Sequence, residues 1–156
     1  MAIREIIKEG NECLRKKSRP ADTFDARLAE LLDDLRDTMK KADGAGLAAP
    51  QVGIMRRVAV ADDGETLVEL INPVITEKVG VQFVSEGCLS VDSSKNCKVK
   101  RPQSVTFTTL DRTGAEKTLT VTGLLARAVC HEIDHMDGIL FIDKPQDERG
   151  PAKGNK

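Results

Sequence analysis

The chain has 156 residues, 40% of them hydrophobic and 31% charged, which suits one soluble domain around one core. Its net charge of −1 gives no general pull toward nucleic acid, and no basic patch interleaved with aromatic residues suggests one. The longest apolar stretches fall far short of a membrane span, and the opening MAIREIIKEG lacks the apolar segment and cleavage site of a signal peptide, so a cytoplasmic protein is expected.

With four Phe and neither Trp nor Tyr, the core must be built mainly from Leu, Val, Ile and Ala. Residues 1–20 read as a short helix and an extended lead-in, with a basic cluster (Arg15, Lys16, Lys17, Arg19) ending at Pro20. Residues 24–42 form an amphipathic helix, since Leu28, Leu31, Leu32, Leu35 and Met39 recur at three- and four-residue intervals. Thr23 is the expected N-cap, and Gly44 and Gly46 end the segment. Strands are expected at 57–61, 66–71 and 79–84, punctuated by Asp63-Gly64 and Asn72-Pro73. A hairpin follows, with 104–110 and 116–121 flanking Asp111-Arg112-Thr113-Gly114. A second helix should run from about Gly123 to Met136 and stop at Gly138. The polar tail, 145–156, is expected to be disordered, leaving 1–144 as a single catalytic domain. One helix, several strands and a second helix indicate an α+β fold, with antiparallel sheets around the second helix.

Both histidines of the chain lie in His131-Glu132-Ile133-Asp134-His135. Residues four apart share one face of a helix, so the two imidazoles can grip one metal ion. Glu132 is offset by about 100° around the axis, which places it beside the metal for proton transfer. A chance motif on a charged helix is the bland alternative. Against it, the motif uses every histidine and sits in an otherwise apolar helix.

A catalytic site of this kind needs a third protein ligand and one open position. No third histidine exists, and downstream only Glu148 is available, in the tail. The ligand should therefore come from upstream, as a thiolate. Cys13 lies in the basic N-terminal segment, Cys97 in a lysine-rich stretch, and Cys130 points about 100° away from His131 on the helix. Cys88 follows Gly87, which permits close backbone approach just before the thiol, and it is the preferred ligand. A buried core cysteine is its bland alternative.

Three segments now line up: Gly44-Ala45-Gly46-Leu47-Ala48-Ala49-Pro50-Gln51, Glu86-Gly87-Cys88-Leu89-Ser90, and His131-Glu132-Ile133-Asp134-His135. In order and spacing they resemble the three signature motifs of the peptide deformylases. The likeness extends to Arg101-Pro102, to 123–127 and to 137–143, and covers roughly residues 5 to 144. It implies an α+β fold and removal of the formyl group from the N-terminal methionine of nascent chains, with ribosome-associated nascent chains as possible partners. It implies one divalent metal on Cys88, His131 and His135: iron(II) natively, with zinc, nickel or cobalt as substitutes. Glu132 would be the general acid and base, and Gln51 and the Leu89 N–H would receive charge on the formyl oxygen. Gly46, Glu86, Gly87, Leu124 and Ala128 would contact substrate, Gly46 by letting its backbone approach as an added strand. Glu86 is equally open to a role bracing a ligand histidine or the loop. With iron(II) and a thiolate, activity is expected to decay in air.

Several positions depart from the family pattern. Asp92 stands where proline is usual, Cys130 where glutamine is usual, and Met136 where leucine is frequent. Lys95 lies near a position often held by a substrate-contacting arginine. These bear on substrate preference and loop shape. The rivals to deformylation are a weakly active relative, a short metallopeptidase and a closed structural metal domain. The last needs a fourth ligand that the sequence does not offer.

Overall fold

The structure is a computed structural model describing residues 2–144. The expected disordered tail, 145–156, lies outside the described residues. Two helices, α1 (Ala26–Lys41) and α2 (Gly123–Met136), combine with eight strands. These are β1 (Gly46–Ala48), β2 (Val58–Asp62), β3 (Leu67–Ile71), β4 (Val74–Val79), β5 (Gln82–Glu86), β6 (Cys97–Arg101), β7 (Ser104–Leu110) and β8 (Glu116–Thr122). All pairings between them are antiparallel, in sheets ordered β1-β2-β3, β4-β7-β8 and β5-β6. No helix among the described residues is long and apolar enough to cross a membrane.

The centre of the fold is β2, whose two faces are both buried. Successive strand residues point to opposite faces. Val58 and Val60 thus join Leu28, Leu31, Leu32, Leu35 and Met39 of α1, while Ala59 and Ala61 face Leu125, Ala126 and Val129 of α2. The small alanines on the second face let α2 approach the sheet closely. Phe107 of β7 and Met136 complete that half of the core, and both are fully buried.

Two details differ from the sequence reading. The α1 N-cap is Asp25, not Thr23: its carboxylate accepts from the N–H groups of Arg27 and Leu28 at 3.1 and 3.2 Å. Thr23 instead donates to the neighbouring Asp22. The strand expected at 79–84 is two strands, because the chain turns at Gly80–Val81 so that β4 pairs with β7 and β5 with β6. The strands β1 and β6, and β4 apart from Val79, have no counterpart in the sequence reading.

The C-terminal end of α2 is where the amino-terminal segment docks. The Ser18 N–H donates to the Met136 carbonyl at 2.8 Å, and Arg57 donates to the Asp137 carboxylate at 2.9 Å. Gly138 ends the helix with φ of +75°, and a Cβ there would run into the Arg15 carbonyl. Both features disfavour any side chain. Gly138→Ala should cost about 2 kcal/mol or more, lowering Tm by about 4–8 °C in calorimetry. An unchanged Tm would contradict this packing.

Candidate metal centre

Strand β5 and the residues that follow it run alongside α2 and in step with it. Gln82 donates to the Gly123 carbonyl at 2.9 Å, Ser85 accepts from Arg127 at 3.3 Å, Glu86 meets His131 at 2.9 Å, and Cys88 meets His135 at 3.3 Å. An extended chain rises about 3.3 Å per residue and a helix about 1.5 Å, so both paths cover nearly the same distance between the first and last contacts. The strand therefore delivers one polar group to each successive helical turn, three side chains and the Ser85 backbone carbonyl.

At the end of this path three donor atoms converge. Cys88 Sγ lies 3.3 Å from His135 Nε2, which lies 3.2 Å from His131 Nε2, and all three donors fall within 4.8 Å of one another. These separations approach those between ligands of one tetrahedral cation. Both imidazoles are buried, and His135 Nδ1 has no hydrogen-bond partner among the described residues. Two ring nitrogens and a thiol turned toward one point, with no polar group between them, fit a divalent metal of intermediate softness. Phe141 stacks on His131 and, with Val91, Val99 and Leu140, walls the thiol side.

Charges around the donors are tightly paired. Glu86 is buried and binds His131 Nδ1 at 2.9 Å, while accepting from Arg101 Nε and Nη2 at 2.7 and 3.0 Å. The third arm of Arg101 reaches Asp134 at 2.7 Å. Burial alone would raise the Glu86 carboxyl, but the hydrogen bonds from His131 and Arg101 bring it down to about 2. Burial disfavours a charged His131, yet Cys88 and Glu86 outweigh it and lift the imidazole to about 10. A cation on Nε2 would take the place of that proton. His135 goes the other way, held low by burial and by the neighbouring His131. Glu132 is 3% exposed, its Oε1 has no partner among the described residues, and burial pushes its carboxyl up to about 7.

Gln51 follows β1 on a short 3-10 turn, Ala49–Val52. Its Oε1 accepts from the Ala48 N–H at 2.9 Å, and its Nε2 donates to Ser90 Oγ at 3.0 Å and lies 3.6 Å from Cys88 Sγ. The amide is thus fixed with its donor beside the thiol. A cleft of about 410 Å³ opens over the site, lined among others by Gly46, Glu86, Gly87, Cys88, Leu89, Leu124, Ala128, His131 and Glu132. A larger groove of about 750 Å³, between the amino-terminal segment, α1 and residues 53–58, contains none of these side chains.

Every site residue expected from sequence except Gln51 and His135 lines that cleft, and those two join it through Cys88 and His131. The geometry gives Gly46 a further reason to be glycine, because a Cβ there would overlap the Glu132 carboxylate. At Gly87 a Cβ would press on the Asn96 side chain. Of the departures, Asp92 caps a turn by accepting from Ser94, and Lys95 pairs with Glu9 at 2.8 Å, away from the cleft. Three participants stood in the sequence motifs without a role assigned to them: Arg101, Asp134 and Ser90. The signal available for Arg101 was its place two residues after Val99, on the same face of a strand. A partner that orients a ligand histidine typically sets metal affinity by a factor of about 10–100. Glu86→Ala should accordingly weaken metal binding by about that factor in a chelator competition, and unchanged affinity would contradict the role of the contact.

Comparison with known proteins bears on the whole chain. The polypeptide deformylase family model matches residues 3–150. A peptide deformylase of Caldicellulosiruptor bescii is 54% identical over 144 residues, spanning 92% of this chain and 86% of the relative. The crystal structure of a peptide deformylase from Legionella pneumophila superposes with a TM-score of 0.85 at 43% identity, covering 91% of this chain and 85% of that one. A class I type b peptide deformylase from Acinetobacter baumannii with Met-Ala-Ser bound gives a TM-score of 0.86 at 30% identity, covering 91% and 98%. With a family-model match over residues 3–150, close relatives and the same fold, this chain belongs to the polypeptide deformylase family.

Proposed function

We propose that this chain hydrolyses the formyl group from the N-terminal formyl-methionine of nascent polypeptides, releasing formate and a free amine, in the cytoplasm as chains leave the ribosome. The observation that carries the reading is the convergence of Cys88, His131 and His135 beside an unpaired Glu132 carboxylate. Residues 1–144 act as one catalytic domain, in which the helix bearing the two histidines is held among antiparallel sheets and the amphipathic helix α1 closes the opposite face of the core.

Cys88, His131 and His135 would hold one divalent metal, iron(II) natively with zinc, nickel or cobalt as substitutes. When bound, that ion supplies acidified water and polarisation of the formyl carbonyl. Glu132 takes the proton from the attacking water and passes it to the departing amine nitrogen. Its free Oε1 leaves an acceptor available for this transfer. Negative charge that builds on the formyl oxygen is received by the Gln51 side-chain amide and the Leu89 N–H. Gln51 donates one N–H to Ser90 and makes a long contact from the same nitrogen to Cys88 Sγ, and the N–H on the thiol is the one that turns to substrate. Leu124, Ala128 and Leu89 form the apolar wall for the methionine side chain, and Leu124 is 42% exposed in the open cleft. β1 is an edge strand, so a peptide adds beside Gly46 by backbone pairing.

Formate release from formyl-Met-Ala-Ser by anaerobically purified, iron(II)- or nickel(II)-loaded protein tests the reading. Glu132→Ala should abolish release with metal content kept, and Cys88→Ala should lose the metal. Gln51→Ala should lower kcat by about 100- to 1000-fold. No formate from folded, metal-loaded wild type would sink the proposal. Gly46→Ala should depress kcat by displacing Glu132 while metal content stays at the wild-type level. Full activity in that variant would contradict the contact between the two residues.

A further inference from the structure

Besides the candidate ligand His131, the walls of the cleft carry one basic side chain among the described residues, Arg127. It stands one helical turn before His131 and three residues after Leu124, so it rises from the same face of α2 as the ligand and the apolar wall. Its guanidinium is poorly satisfied. Nη1 donates to the Ser85 carbonyl at a long 3.3 Å, Nε is buried without an acceptor, and no carboxylate pairs with the group among the described residues. Neighbouring cations are committed elsewhere: Arg101 to Glu86 and Asp134, Lys95 to Glu9 at 2.8 Å, and Lys8 to the Leu89 carbonyl at 2.8 Å. A partly desolvated guanidinium with spare N–H groups is a donor site without its acceptor.

We propose that Arg127 determines specificity by pairing with an acidic side chain at the second or third position of the substrate, beyond the formyl-methionine. The inference rests on the reaction proposed above. A carboxylate matches the planar fork of donors that Arg127 presents. One turn of helix separates Arg127 from His131, so it grips the part of the peptide beyond the reacting bond and acts on binding, not on the chemistry. Lys95, turned toward Glu9, leaves Arg127 without a lysine or a second arginine beside it in the cleft.

The test compares kcat/KM for formyl-Met-Ala-Ser, formyl-Met-Glu-Ser, formyl-Met-Lys-Ser, formyl-Met-Ala-Glu and formyl-Met-Ala-Lys, the last two as C-terminal amides. Wild type should favour the acidic over the matching basic peptide by about tenfold at one of the two positions, the size expected when one exposed charge pair replaces a like-charge pair. The difference should sit in KM and shrink at high salt. Arg127→Met should flatten the ranking, Arg127→Glu should invert it, and Arg127→Lys should keep its direction. A wild type indifferent to charge at both positions, or an Arg127→Met variant with the wild-type ranking, would overturn the proposal. If no peptide yields formate, deformylation fails, and the same ranking is read by calorimetry as peptide affinity. Loss of the charge preference in Arg127→Met would then still support the role of Arg127, and its persistence would overturn it.

Discussion

The candidate metal centre depends on one buried arginine. Arg101, 4% exposed, holds Glu86 with two of its arms and Asp134 with the third, and so ties the β5–β6 hairpin to α2. Neither element presents a complete site. The helix carries two imidazoles, and the chain leaving the hairpin carries the thiol. Glu86 then touches His131 directly, so the link that joins the two elements also orients a proposed ligand. Such a pair adds little net stability, because desolvating the charges offsets their attraction, but breaking it leaves a buried ion uncompensated at about 3–5 kcal/mol. Its value here is positional: it selects one register of hairpin against helix.

Around that link, the rest of the fold acts as a frame. β2 separates the two halves of the core by the simple alternation of strand side chains, valines toward α1 and alanines toward α2. The closeness that the alanines allow brings α2 against β1, and with it Glu132 against Gly46. Gln51 follows directly from β1, so the same sheet that seats the helix also sets the amide beside Cys88. The residues with proposed chemical roles thus sit on three segments whose relative positions are fixed by backbone packing, with Arg127 at the cleft wall beyond them.

Much of this was legible in the sequence. The spacing of His131 and His135 needs only helical periodicity, and the leucine pattern of α1 marks its buried face without reference to anything distant. What stayed hidden were features that depend on contacts remote in the chain. Cys97–Arg101 reads as a solvated basic stretch, and only tertiary structure reveals that Val99 and Arg101 turn inward together. Thr23 and Asp25 are both competent caps, and the choice between them rests on where the helix backbone starts. The break at Gly80 looked like the interior of one strand because valines stand on both sides of it. Gly46 was expected to make room for substrate, and its contact with Glu132 came from a helix more than eighty residues later.

The most direct test follows the thiolate itself. Cobalt(II)-loaded wild type and Arg101→Met are compared by their sulfur-to-cobalt charge-transfer absorption, with circular dichroism confirming that the variant keeps its helices. If Arg101 is what brings Cys88 to the two histidines, the wild type shows the band and the folded variant loses or weakens it together with cobalt affinity. An undiminished band at unchanged affinity in Arg101→Met would contradict that claim and place the assembly of the site in the backbone alone.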